Sequence, residues 1–297
     1  MTEPTHPRSP AAAYAARQAT DAPNVFLIPS EHLPAGFADK VEHGGWTAVE
    51  PRPAATVVLL RDGDAGPEAL LLRRHGRSGF AAGAWVFPGG MVDADDAGPA
   101  VAEAMDGPTA DEWARRLELD DASVALAFVA SAVREAFEET GILLAHVRAG
   151  MDEERLDGLR RSLLAGEMGL GEMARDEGLR LAGGDLLYIA HWITPEPEPR
   201  RYDTRFFLAT VPGDAVCTPH AAEMTDARWM APADAVAAFE RGEMKLLPPT
   251  VHTLRRLAGF ASVAAVRAAL ADAPVPAILP VMHRRANGVA IEFPADV

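Results

Sequence analysis

The sequence predicts an α/β chain: an α/β/α sandwich around a mixed sheet, with helical insertions. Three observations carry this. Two short apolar runs, Ala54–Arg61 and Glu68–Arg74, flank a turn rich in Gly, Asp and Pro at 62–67, the signature of a β-hairpin. A helix opens at Asp120 or Asp121, either of which can cap it, and stops at Gly141. Beyond it, short apolar strands at Asp185–Ile193, Arg201–Val211 and Ala227–Met230 alternate with few helices.

Taken in order, residues 1–23 are rich in Ala, Pro, Thr and Arg and have no sustained apolar period. They read as a flexible tail with a short helix at Ala11–Gln18. Residues 24–297 form one domain. Asn24–Pro53 is an irregular lead-in that Trp46 docks onto the core. After the hairpin, Ala84–Phe87 runs into Pro88-Gly89-Gly90, where glycine lets an ion or ligand come close to the backbone. A helix follows at Thr109–Leu117, anchored by Trp113. Past the central helix, Ile142–Val147 reads as a strand, and Met151–Leu164 and Met168–Arg180 as helices broken near Gly166. Residues 194–199 alternate proline with other residues and read as a stiff exposed loop. Helices are expected at Pro232–Arg241, Thr250–Gly259 and Val263–Ala271. A terminal hairpin, Ala277–His283 with Val289–Phe293, turns at Asn287-Gly288. Residues from about 246 to 297 read as a C-terminal, largely helical addition.

Charge narrows the function. The net charge is −15, which argues against binding a nucleic-acid polymer or an anionic membrane, since both want basic patches. A phosphate-bearing substrate would need a metal ion or local arginines. Arg forks suit phosphate, and Arg74, Arg200, Arg201 and Arg205 are the candidates. Cys217 is the single cysteine, so the chain holds no internal disulfide and suits a reducing compartment. No apolar run reaches transmembrane length, the N-terminus lacks the apolar core of a signal peptide, and the C-terminus carries no peroxisomal tripeptide. A cytoplasmic protein is expected, as a monomer or homodimer.

The chemistry concentrates in Arg134-Glu135-Ala136-Phe137-Glu138-Glu139-Thr140-Gly141-Ile142. On a helix, Glu135 pairs with Glu138 at i, i+3 and with Glu139 at i, i+4, so three carboxylates converge. Like charges at these spacings repel, and a helix C-terminus disfavours negative charge. A divalent cation would reverse both penalties, and hard oxygen donors suit Mg²⁺ or Mn²⁺. Three helical glutamates alone are ordinarily a solvated acidic face. The order of the residues decides otherwise. It meets all five fixed and both aliphatic positions of R-E-U-x-E-E-x-G-U, the second half of the Nudix box. The chain resembles the Nudix hydrolases.

That resemblance implies a Nudix-type sandwich and metal-dependent hydrolysis of a small-molecule diphosphate. In the family the box glycine precedes the arginine by fourteen residues and a Glu precedes it by eight; here those positions hold Asp120 and Leu126. If Gly90 is the box glycine, thirty residues are in excess, placing an insertion at about 94–121, and the Glu position becomes Asp96. Such an interrupted box is similar to the peroxisomal coenzyme A diphosphatase branch. Leu70–Arg74 with Gly83–Gly90, Arg200–Phe207, and Leu246–Thr250 with Arg255–Ser262 also resemble that branch. Against the wider signature L-L-T-x-R-S-x3-R-x3-G-x3-F-P-G-G, Arg74 matches the first arginine. His75 replaces the serine and Gly79 the second arginine, with Arg77 two positions away. By resemblance, Glu135 and Glu139 are the principal metal ligands, with Glu138 and the Gly90 carbonyl as further ones. Arg134 fixes a box carboxylate. Glu223, on a later loop ahead of Trp229, serves as general base or extra ligand. CoA or acyl-CoA leads as substrate, ahead of ADP-ribose, NADH and nucleotide sugars. A non-catalytic nucleotide sensor and an isomerase on the same fold are the readings of other classes.

Overall fold

The computed structural model describes residues 18–19, 22–76, 81–146 and 151–295. Most of the expected tail, most of the Ala11–Gln18 helix, Arg77, Gly79 and Val147 lie outside them. The first elements are β1 (Gln18–Ala19), β2 (Val25–Pro29), α1 (Phe37–His43), β3 (Arg52–Gly63), β4 (Gly66–Arg74), β5 (Trp85–Val86) and β6 (Gly89–Met91). Next come α2 (Pro99–Ala104), α3 (Ala110–Leu117), α4 (Ala122–Thr140), β7 (Ala145–His146), α5 (Glu153–Leu164), α6 (Leu170–Glu177) and β8 (Arg180–Leu181). The chain ends with β9 (Leu187–Ile193), β10 (Tyr202–Thr210), β11 (Met224–Met230), α7 (Pro232–Glu240), α8 (Pro248–Leu257), α9 (Val263–Leu270), β12 (Ala277–Ile278), β13 (Val281–Arg285) and β14 (Gly288–Glu292).

The large sheet is mixed, in the order β11-β4-β3-β10-β9-β12, with β5 on β4 and β6 on β3. β10 runs parallel to β3 and β12 parallel to β9; the other pairs are antiparallel. Strand alternation supplies both faces. On β3, Ala55, Val57 and Leu59 pack with α4, α3 and α6, while Val58 and Leu60 pack with α7, α8 and α9. Phe207 and Phe206 divide β10 in the same way. The Nudix-fold sandwich follows from this two-sided burial.

Several expectations are corrected. Asn24–Pro53 is not irregular throughout: Phe26 and Ile28 are buried, and β2 pairs with β14 in a second sheet, β1-β2-β14-β13. Gln18–Ala19, expected in the flexible tail and at the end of its helix, form a strand on that sheet. Ile142–Val147 shrinks to two strand residues within the described part. Ala277–Ile278 leave the terminal hairpin and join the large sheet instead. The 194–199 loop is not exposed throughout. Glu198 is only 2% accessible, and Lys40 Nζ donates to the Pro197 carbonyl at 2.8 Å. Proline blocks strand pairing there without preventing burial.

Segment 94–121 holds a 3₁₀ turn at Ala94–Ala97, then α2, then α3. α3 starts from a reciprocal capping box between Thr109 and Glu112, and fully buries Trp113. Thus the chain leaves the sheet after β6, sets the 3₁₀ turn and α3 against α4 and α2 against α6, and returns directly into α4.

Candidate active site

α4 is mostly apolar as far as Val133, mostly polar beyond it, and buried around almost its whole circumference. Asp121 caps its start, its Oδ1 accepting from the Ser123 N–H at 2.8 Å. Its other end is held from outside. The last carbonyls of a helix have no partners within it. Here Arg160 of α5 donates to the Glu138 carbonyl from Nε at 3.0 Å and Nη2 at 2.8 Å. The loop before β11 covers the rest: the His220 N–H donates to Glu139 O at 3.0 Å, and the Thr218 N–H to Thr140 O at 2.8 Å. A cation at this end also opposes the helix dipole. Gly141 ends the helix at φ 77°, the left-handed conformation that favours glycine.

β6 crosses the glutamate face. The Gly89 N–H donates to Glu139 Oε2 at 3.0 Å. A Cβ on Gly90 would lie 2.3 Å from Glu135 Oε1, so only glycine lets the strand pass so close. Gly90 therefore lies against Glu135 despite the intervening insertion. Gly90→Ala is expected to displace the Glu135 carboxylate and cut turnover about a hundredfold, an effect of roughly 2.7 kcal/mol on the barrier. Steady-state kinetics beside a thermal melt checks this; unchanged turnover in a folded variant would show that Glu135 has no part in the reaction.

Arg134 is the hub beneath the glutamates. Its Nε and Nη2 grip both Asp96 carboxylate oxygens at 3.0 Å each. Its Nη1 donates to Glu135 Oε1 and to Glu138 Oε2, both at 2.8 Å. Nη2 also reaches the Met91 carbonyl at 2.8 Å. Burial alone would make this guanidinium easier to deprotonate. The bidentate Asp96 contact and the two glutamates reverse that and hold it charged. Asp96, 1% accessible, faces Arg134 and also accepts from the Asp93 N–H at 2.9 Å. The acid that spacing assigns to the box Glu position therefore anchors the arginine.

Burial dominates the carboxyls. It pushes Glu135 up to about 7 against the pull of Arg134, and raises Glu138 with the same opposition. Glu139, 4% accessible, is raised well above the usual carboxylate range, first by burial and then by the charge of Glu135. Arg74 counters this weakly, and Glu223 adds to it from the loop that docks on the helix end. Glu223 is exposed, and its carbonyl accepts from the His75 N–H at 2.8 Å. The glutamate oxygens and the Gly89–Gly90 backbone are hard donors of the kind a divalent cation takes, and positive charge is what the buried acids lack. Among the described residues no three acidic, His or Cys side chains form a ready-made cage. Glu135 and Glu138 both lean on Arg134, and Glu139 on the Gly89 amide.

A cleft of about 200 Å³ lies on the side of the sheet away from α4, and its lining includes Arg74 and Gly89, whose N–H bonds Glu139. Of the four arginines proposed for phosphate, only Arg74 reaches it. Arg200 is exposed on the loop before β10. Arg201 and Arg205 do not line the cleft. Arg201 is spent on the Thr194 and Val49 carbonyls at 2.9 and 2.8 Å. Arg205 projects to the α4 side of the sheet, where it meets His191 and lies 5.4 Å from the Phe128 ring centroid. Strand alternation decides this, because Thr204 and Phe206 take the cleft side. Cys217 is half-buried, and burial pushes its thiol up to about 11, an unreactive state. The Arg160 clamp had no signal in the sequence, since one arginine on an amphipathic helix looks like any other.

The comparisons with known proteins agree with this geometry. A sequence profile described as the NUDT19 Nudix domain matches residues 44–257. The chain is 28% identical over 269 residues to the acyl-coenzyme A diphosphatase NUDT19 of Homo sapiens, covering 78% of this chain and 72% of that protein. The Xenopus laevis protein of the same name is 23% identical over 300 residues, covering 87% and 78%. Among solved structures, a Nudix hydrolase from Alicyclobacillus acidocaldarius superposes with a TM-score of 0.65 at 28% identity, covering 77% of this chain and 100% of that one.

Proposed function

Because the chain belongs to the NUDT19 Nudix family and is a Nudix hydrolase, we propose that it cleaves the diphosphate of CoA or acyl-CoA, giving 3′,5′-ADP and 4′-phosphopantetheine. The observation that carries this is Gly89, whose amide bonds the buried Glu139 and which, with Arg74, also lines a mostly apolar cleft. The names of the relatives support the choice of substrate.

Glu135, Glu139, Glu138 and the Gly90 carbonyl would hold Mg²⁺ or Mn²⁺. Such an ion, when bound, supplies charge neutralisation on the diphosphate and acidifies a water molecule. Arg134 fixes the rotamers of Glu135 and Glu138 from below and does not face substrate. Arg74 sits where it can hold a phosphate oxygen with its fork. Glu223, exposed and within the electrostatic reach of Glu139, would accept the proton of the attacking water or serve as an extra metal ligand. The full carboxylate set separates this reading from a nucleotide sensor, which has no need of it. No helix among the described residues is long and apolar enough to cross a membrane. The single cysteine suits work in the reducing cytoplasm.

The test is a competition among CoA, acyl-CoA, ADP-ribose, NADH and nucleotide sugars, with products resolved by mass and the divalent ion varied. CoA thioesters are expected to lead. If ADP-ribose or NADH exceeds CoA by about tenfold in kcat/KM, roughly 1.4 kcal/mol, the CoA assignment fails and the diphosphatase assignment stands. His75 and Gly79, in place of the Ser and Arg of the wider CoA signature, are the residues that would explain such a result.

A further inference from the structure

The cleft has a chemistry of its own. Two segments far apart in sequence wall it: Tyr202, Thr204 and Phe206 from β10, and Leu247 to Thr250 at the start of α8. The lining is mostly apolar, with the rings of Trp192, Phe87, Tyr202 and Phe206 and threonine hydroxyls interspersed. Its charge is sparse. Among the described lining residues Arg74 is the only cation, and it acts with the Gly89 amide on Glu139; Glu198 is the only anion, and it is buried in the wall.

The two halves of CoA differ in what they demand. The adenosine half carries a further phosphate, whose burial is unfavourable unless cations pair with it. The pantetheine half is neutral and extended. It carries amides that threonine hydroxyls can serve, and in a thioester it ends in an apolar chain. Arg74, which acts electrostatically on Glu139, is the only cation among the described walls. We propose that this cleft is the subsite for the acyl-pantetheine arm and that the 3′-phosphoadenosine half stays outside it. The proposal rests on the CoA reading above and adds which half of the substrate the protein buries.

Thr204, half-buried on the cleft side of β10, is the place to fill the cleft; phenylalanine is at home in a strand there. S-octanoyl-4′-phosphopantetheine and 3′,5′-ADP are each titrated as inhibitors of whichever diphosphate the protein cleaves best. This is done for the wild type and Thr204→Phe. Thr204→Phe is expected to weaken the pantetheine inhibitor at least tenfold and to move 3′,5′-ADP less than twofold. Loss of 3′,5′-ADP binding instead places adenosine in the cleft, and no change in either inhibitor removes the cleft from the site; both overturn the proposal. Should Thr204→Phe not fold, the wild type still decides. KM should fall at least tenfold from acetyl- to octanoyl-CoA and differ less than threefold between CoA and its 3′-dephosphorylated form; the opposite pattern overturns the proposal. A wild type inert toward all CoA compounds overturns the CoA reading separately, and the two inhibitors against the alternative substrate then show which half the cleft takes.

Discussion

Glu139→Gln is expected to lower turnover by about a thousandfold, roughly 4 kcal/mol on the barrier, while raising the melting temperature of the metal-free protein. The two effects have one cause. Glu139 is 4% accessible, and its pKa is raised well above 4.5 by burial and by the charge of Glu135. A carboxyl whose folded pKa exceeds its unfolded value costs stability when ionised. The cost begins above the unfolded pKa, grows as pH rises, and levels off above the folded pKa. Glutamine is isosteric, cannot ionise, and can still accept from the Gly89 N–H. The stability gap between variant and wild type should therefore be absent near pH 3 and widen through the range above 4.5. Added Mg²⁺ should close it, because an ion held by the native carboxylate stabilises the wild type by mass action. Thermal melts across pH, with and without Mg²⁺, read this alongside the kinetics. A variant with full activity would refute the site; a variant that melts lower at neutral pH would refute the electrostatic account.

Arg134→Met is expected to cost stability instead. The guanidinium makes a bidentate pair with Asp96, bonds both Glu135 and Glu138, and reaches the Met91 carbonyl. Removing it leaves Asp96, 1% accessible, as an uncompensated buried acid. Breaking a buried pair from one side costs about 3–5 kcal/mol, a loss of roughly 6–20 °C in melting temperature at the sensitivity usual for mid-sized domains. Asp96→Asn in the same chain should restore part of it, since the orphaned charge is then gone. Turnover should fall as well, because Glu135 and Glu138 lose the contact that fixes them. Denaturant titration of both single variants and the double variant measures the coupling. Strictly additive effects would mean that Arg134 and Asp96 do not act as a pair.

Much of the site was legible because its signal is local. Arg134 to Ile142 lie on one helix, so spacing alone brings three carboxylates to one face, and Gly141 marks the end by its backbone freedom. The hairpin of β3 and β4 and the capping box of α3 are likewise short-range. The arginines were harder. Arg74, Arg201 and Arg205 are equally basic in sequence, yet only Arg74 faces the cleft; the side of a strand on which a residue falls depends on register, and register is set by the whole sheet. β2 was missed because its partner β14 lies at the other end of the chain.

The sequence by itself determined that this chain is a Nudix-type sandwich with its carboxylates on the central helix, since composition, period and an unbroken motif act within a few turns of backbone. Only the tertiary structure decided the environment of those carboxylates. Asp96 is thirty-eight positions from Arg134 and holds it in a bidentate grip. Gly90 comes against Glu135 across an insertion, Arg160 clamps the helix end, and β10 with α8 walls a cleft that neither segment forms alone. Each of these is a contact between elements distant along the chain, and packing places them by excluding water from both surfaces at once, a condition that no single stretch of sequence contains.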